Sequence, residues 1–350
     1  MTGRPTLRTI ALASGFAVTT VSRALAGDEK IAETTRREVA RIAEQLGYVP
    51  DRAAQRLRTG RSNVIALILS PHEEILGFRG SMIAGLQQAL SGTAFHITMA
   101  PYDGIVDPLV PVRHILRYGL ADGIVFSGTS PDDPRVSLLS EAGFPFISHG
   151  RTESVGPHPW CDYDNESFAR LAVRRLVDRG RRRLLLLPPR PDRTYARHMV
   201  EGFLAETAAL GVAGVIPEGM TLSTRPQALQ DAAVGLVKHE GIDGFICPGE
   251  VAAMAMLAGL QDRGLAVGVE ADVIAKQTSE TFDLYRPRLD TIYEDIRAAG
   301  DVLGQLLLRR IAGEDPAALQ VLLPPSVNFR TDHGPPPQQA KAAPAAFKAG

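Results

Sequence analysis

The stretch that most constrains this chain is residues 6–27, TLRTIALASGFAVTTVSRALAG. Two short helical patterns flank a turn at Ser14-Gly15-Phe16. In the first, Leu7, Ile10 and Ala11 share one face, and Thr6 stands where a capping side chain belongs. The second covers about 17–25, with Val21 and Leu25 inward and Val18, Thr19, Ser22 and Arg23 on the other face. Two helices crossing at a glycine turn, the second exposing small polar groups and an arginine, read as a helix-turn-helix. The second helix of that motif lies in the DNA major groove, its N-terminal residues against base edges. An ordinary helical hairpin shows the same short pattern, so the residues that follow must decide between the two.

A third helical pattern covers 33–46, with Val39, Ile42, Ala43 and Leu46 as its apolar stripe. Arg36, Arg37 and Arg41 face outward, as phosphate contacts or as a solvated face. Then comes LGYVPDRAAQRLRTG at 46–60. Together with TVSRALAG at 20–27 and the ETR-like residues at 33–36, this resembles the lactose-repressor (LacI/GalR) family of bacterial transcription regulators. The likeness continues to about Arg330, nearly the whole chain.

The resemblance implies a fold, an all-α helix-turn-helix domain followed by an α/β periplasmic-binding-protein-like core of two doubly wound parallel-sheet subdomains. It implies base readout by Val18, Thr19 and Arg23, where Arg23 can pair bidentately with guanine and Val18 can touch a thymine methyl. Backbone contacts fall to Thr6, Ser14, Thr20 and Ser22. Residues 51–58 match the family's hinge helix, marginal alone at eight residues. There Leu57 would pry apart a base step in the minor groove, with Ala54 and Arg58 beside it. Ala32 replaces the family's usual serine cap, so the third helix is expected to fray or to start near Thr34. The partners implied are palindromic operator DNA, a second copy of the chain and a small-molecule effector. Repression by occlusion is the simpler act, with activation or dual control as the alternative.

Composition fits this reading. A chain of 350 residues, 45% hydrophobic and 22% charged, suits a soluble protein of two or three domains. Its net charge of −1 hides an asymmetry: residues 1–62 carry 11 Lys/Arg and 6 Asp/Glu, or +5, leaving −6 for the rest. A basic module on an acidic body suits a polyanion partner for the module alone. Cys161 and Cys247 are far apart and lack a Cys/His cluster, so free buried thiols and no metal or cofactor are expected. The absence of a signal peptide or a long apolar run points to the cytoplasm. Neither GxSxG, nor GxGxxG after a strand, nor a Walker loop occurs, which argues against an enzyme. A ligand-binding protein without DNA function would need an export signal or a degraded N-terminal module.

From residue 62 the pattern becomes strands alternating with helices, beginning with the apolar run 64–69. The alternation restarts after Trp160. The expected organisation is a DNA-binding domain at 1–50, a hinge and linker at 51–61, a core at 62–330 and a disordered Pro/Ala-rich tail at 331–350. Within the core, 62–160 and 290–322 would form one subdomain and 161–289 and 323–330 the other. The crossings would fall near 160–161, 288–290 and 322–325. By resemblance the helices around 82–90 and before 308 would build a dimer face. The turn at 180–183 reads as a charged surface turn before a buried strand, more than as a phosphate site.

In such folds ligands sit between subdomains at the carboxyl ends of strands. That position selects His72, Glu73 and Phe78, then His149 and Arg151, then Tyr195, Arg197 and His198, and finally Glu250, Lys276 and Gln277 as effector-binding candidates. The chain departs from the family here. Gly249-Glu250 replaces an Asn-Asp pair, Met199 an arginine, and Lys276-Gln277-Thr278 an acidic run that would grip sugar hydroxyls. A lysine there could pair with an anionic group, so the expected effector is a sugar, a sugar acid or a sugar phosphate.

Overall fold

The computed structural model describes residues 5–48, 60–70, 75–102, 107–153, 156–286 and 288–330. The expected hinge helix with Ala54, Leu57 and Arg58, the candidates His72 and Glu73, and the tail lie outside them. The chain divides into two compact units, Met1–Ser62 and Asn63–Gly350.

The first unit has three helices: α1 (Leu7–Ser14), α2 (Val18–Leu25) and α3 (Glu33–Gln45). Thr6 caps α1 as expected, with its hydroxyl 3.4 Å from the Thr9 amide, while the Thr9 hydroxyl accepts from the Thr6 amide at 3.1 Å. Gly15 ends α1 at φ 73°, where a side chain would be strained. Ile10, Val21, Ala24, Val39, Ile42 and Ala43 are buried together as the core. Helix α3 starts at Glu33 behind Ala32 without a side-chain cap, so the expected shift to Thr34 does not occur. Its apolar stripe, packed into that core, holds the helix where the cap does not.

The second unit contains β1 (Val64–Ile68), α4 (Phe78–Leu90), β2 (His96–Met99), α5 (Leu109–Tyr118), β3 (Gly123–Ser127), α6 (Pro134–Glu141), β4 (Phe146–His149) and β5 (Trp160–Tyr163). It continues with α7 (Asn165–Asp178), β6 (Arg183–Leu186), α8 (Thr194–Ala209), β7 (Ala213–Val215), α9 (Pro226–Lys238), β8 (Gly244–Cys247), α10 (Glu250–Gln261) and β9 (Asp272–Gln277). Then follow β10 (Asp290–Tyr293), α11 (Ile296–Ile311), β11 (Gln320–Leu323) and β12 (Ser326–Asn328). The first sheet has the order β11-β5-β4-β3-β1-β2 and is wholly parallel. The second has the order β12-β10-β9-β8-β6-β7, with only β12 antiparallel. Parallel strands buried on both faces explain the continuous apolar runs.

The chain passes between the sheets three times, two of them later than the sequence suggests. Trp160–Tyr163 pairs with β4 and β11 in the first sheet, so the passage follows Tyr163. Asp290–Tyr293 pairs with β9 in the second, so the return follows Tyr293. Apolar pattern marks a buried strand but not which sheet accepts it. The third passage lies at Pro324-Pro325, between β11 and β12. Helices α4 and α11 bury their apolar sides against each other and the first sheet. That packing leaves Arg297 and Gln305 exposed on α11, with Val302 and Leu308 partly exposed beside them.

The α4–α11 contact is close enough to require glycine. A Cβ on Gly85 would overlap the Arg297 carbonyl oxygen and lie 2.7 Å from the Asp301 amide nitrogen. Gly85→Ala is therefore expected to force the helices apart and lose roughly 1–3 kcal/mol or more, as overpacking does. A urea midpoint unchanged from wild type would show that the helices slide at no cost.

Candidate functional sites

Two sites emerge, one in each unit. In the first, α2 turns Val21 and Ala24 into the core and leaves Val18, Thr19 and Arg23 exposed in one row. Thr20 and Ser22 flank this row, half-buried. The Thr6 hydroxyl is engaged in its helix cap, and that of Ser14 faces the Ala11 carbonyl at 3.5 Å and the Phe16 amide at 3.4 Å. On α3, Arg37 pairs with Glu33 and Arg41 with Glu38, while Arg36 donates to the Gly27 carbonyl at 3.2 Å.

The second site is a cavity at the carboxyl ends of the two sheets, with about 410 Å³ of empty space, part of it open solvent. The first-sheet side supplies Ile75, Phe78, Gly128, His149, Gly150 and Asp162; the second supplies Asn165, Tyr195, Lys276 and Glu294. Of the candidates from sequence, Phe78, His149, Tyr195 and Lys276 meet there. Phe78 and His149 lie ring to ring at 5.7 Å, and the His149 Nε2 is 3.9 Å from Glu294.

Lys276 is not the free cation expected. Its ammonium donates to Glu294 at 2.8 Å and to Asn165 at 2.9 Å, and lies over the rings of Tyr163 and Phe168 at 4.3 and 5.2 Å. A buried ammonium without such partners would be expelled or neutralised, so its charge is spent inside the protein. Arg151 stands 3.2 Å from Asp162 and over Trp160, with His198 3.4 Å away. Burial, then the nearby Arg151 cation, pushes the His198 pKa down. Arg197 pairs with Glu153 at a half-exposed position. Gln277 is buried, bonded to Thr291 at 2.6 Å and to the Ser279 carbonyl at 2.8 Å. Neither Arg197 nor Gln277 lines the cavity.

Glu250, expected as a ligand, is fully buried and saturated by donors. It accepts from the amides of Leu76, Thr278 and Ser279 at 2.8, 3.0 and 3.0 Å and from the hydroxyls of Thr278 and Ser279. Leu76 precedes α4 on the first-sheet side, whereas Thr278 and Ser279 follow β9 of the second. Glu250 thus ties the two halves of the core together. Across the cleft Arg193 donates to the Gly128 carbonyl at 2.8 Å and the Thr194 amide to the Thr129 carbonyl at 3.0 Å.

Asp162, Asn165 and Glu294 were missed as site residues. The sequence signal was available, since all three adjoin the first two passages between sheets, where strand ends gather. Burial, opposed by Arg151 and reinforced by Glu294, raises the Asp162 pKa from 3.8 to about 7. The folded state then holds a proton that the unfolded chain releases. Stability relative to Asp162→Asn is expected to fall as pH rises from about 4 to about 7 and to level off above. A pH-independent difference between the two proteins in denaturant titrations would contradict this.

Elsewhere Arg181 pairs with Asp272 at 2.7 Å, and the amides of Arg182 and Arg183 donate to Asp243, so the turn at 180–183 is structural. Cys161 and Cys247 are buried free thiols, as expected, and burial pushes the Cys247 pKa up to about 12. Among the described residues no helix is long and apolar enough to cross a membrane.

Comparison with known proteins agrees with this architecture. Residues 6–51 match the family model for bacterial regulatory proteins of the lacI family, and 173–331 match the periplasmic binding protein-like domain. The HTH-type transcriptional regulator CelR of Thermobifida fusca is 26% identical over 91% of this chain and 96% of its own length. AglR of Rhizobium meliloti, also an HTH-type transcriptional regulator, is 27% identical over 95% and 96%. Among solved structures, the lac repressor dimer bound to operator and the anti-inducer ONPF matches with a TM-score of 0.78 at 22% identity, covering 93% of this chain and 98% of that one. These relatives are transcriptional regulators, not enzymes. With its helix-turn-helix module and two-sheet core, the chain belongs to the LacI family of bacterial transcriptional regulators.

Proposed function

We propose that the protein binds a palindromic operator as a dimer in the cytoplasm, represses carbohydrate-metabolism genes, and is controlled by a neutral sugar held between the two sheets. The observation that carries the DNA reading is the exposed row Val18, Thr19 and Arg23 on a helix that turns Val21 and Ala24 into the core. Arg23 would read guanine, and Val18 a thymine methyl. Thr20 and Ser22 beside that row would meet phosphates, whereas Thr6 and Ser14 act first as caps. The hinge wedge Leu57, with Ala54 and Arg58, rests on the family motif.

The neutral effector is supported by the cavity's charges. Lys276 is spent on Glu294 and Asn165, and Arg151, outside the cavity lining, faces Asp162, so among the described residues no unpartnered lysine or arginine lines the cavity to meet an acid or phosphate. Carboxylates accepting sugar hydroxyls beside Phe78 and Tyr195 suit a polyol with one apolar face. A CelR–cellobiose complex, 24% identical with a TM-score of 0.65 and covering 93% of this chain and 98% of that one, shares the fold. An effector preferring one relative arrangement of the two halves must change operator affinity by the same factor that operator changes effector affinity.

Selection from randomised duplexes should return one palindromic site for wild type and a different half-site for the Val18→Ala/Thr19→Ala double variant. The same site from both would overturn the base assignment. In a thermal-shift screen, neutral sugars should raise the melting temperature with concentration. Hits confined to sugar acids or phosphates would overturn the neutral effector.

A further inference from the structure

We propose that Asp28 is a positioning residue for DNA reading: it grips the Arg23 guanidinium by Nε and presents the two terminal nitrogens end-on to a guanine. The proposal rests on the reading that α2 meets base edges. The Asp28 Oδ2 lies 2.8 Å from the Arg23 Nε, and its Oδ1 accepts from the Lys30 amide at 2.9 Å. Both carboxylate oxygens are therefore fixed. The turn that carries Asp28 is fixed as well: its amide donates to the Arg23 carbonyl at 3.1 Å. The preceding Gly27 sits at φ 74° and accepts from Arg36 of α3. The Lys30 amide and the Arg23 guanidinium hold the Asp28 carboxyl below the usual carboxylate range, so it stays charged at neutral pH.

Such an exposed ion pair adds little to folding stability. Its consequence is geometric. A guanidinium can meet the O6 and N7 of guanine through Nη1 and Nη2, or sideways through Nε and one Nη. With Nε committed to Asp28, only the end-on pair remains, and among the described residues it has no other partner. A long side chain held in one orientation loses less freedom on binding than a free one. The carboxylate also stands on a DNA-facing surface, where it repels phosphates. Asp28 would then trade general affinity for discrimination.

The full chain is titrated with the duplex that the wild type selects, with the same duplex after guanine-to-adenine exchange at each half-site position, and with random-sequence DNA, all at one salt concentration. Arg23→Ala should abolish the preference at one guanine. Asp28→Ala should lower that same preference by roughly threefold to tenfold, the worth of one ordered side chain. Its binding to random DNA should be equal or tighter. Asp28→Asn, which keeps an acceptor for Nε, should fall between. An unchanged guanine preference in Asp28→Ala, where Arg23→Ala has lost it, overturns the positioning role. A uniform loss on every duplex with reduced helicity shows a merely structural turn and also overturns it. If Arg23→Ala itself leaves every preference intact, the base reading fails first.

Discussion

Replacing Lys276 with methionine is expected to remove about 3–5 kcal/mol of folding stability, because it leaves the Glu294 carboxylate buried without its cation. The ammonium is 4% exposed, held by Glu294 and Asn165 and roofed by two aromatic rings. Methionine matches the lysine stem in volume, so the loss would come from the uncompensated charge and not from a cavity. The double variant Lys276→Met/Glu294→Leu removes both charges and should recover most of the loss. Denaturant titrations extrapolated to water give the comparison. A single-variant loss under about 1 kcal/mol would mean that the pair behaves as a surface ion pair and is not sealed in the interior. The double variant should also lose effector binding while staying folded, since Glu294 lines the cavity.

Glu250→Ala is expected to be comparably destabilising, by about 3–5 kcal/mol, through a different route. Five donors converge on this carboxylate, three of them backbone amides that cannot turn to water by changing rotamer. Each buried donor left unsatisfied carries a penalty of about 1–3 kcal/mol, partly relieved by relaxation. Because Leu76 belongs to one half of the core and Thr278 and Ser279 to the other, the loss falls on the connection between halves. Glu250→Gln keeps one acceptor oxygen but aims an amide at other donors, and should lose less than alanine. In both variants the ratio of operator affinities with and without effector should shrink toward one. An effector response equal to wild type would show that Glu250 is a local staple and not part of the coupling between sites.

What was legible in the sequence was local. Thr6 as a cap, Gly15 in the turn after α1, and Val21 facing inward while Val18, Thr19 and Arg23 face out follow from spacing within a few residues. Strands such as Gly123–Ser127 and Gly244–Cys247 could be read from apolar runs between helical patterns. The motif at 20–27 and 46–60 carried the family, because its residues meet functional requirements at fixed spacing.

The chemistry of the cavity was decided by tertiary structure. Lys276 reads as a cation at a strand end, and it stands next to last in the buried strand β9. Its partners stand 18 and 111 residues away, Glu294 beyond β10 and Asn165 at the start of α7. Glu250 likewise reads as a ligand until the Leu76 amide, 174 residues earlier in the chain, is found against it. Local periodicity follows from backbone geometry that repeats every two or 3.6 residues, so neighbours reveal it. Whether a buried charge is spent or available depends on which distant groups the packing brings within hydrogen-bond reach. By itself the sequence determined the modules, the exposed face of α2 and the strand ends at which the cavity lies; only the fold decided that Lys276 and Glu250 are occupied there, and that Asp162, Asn165 and Glu294 line the cavity.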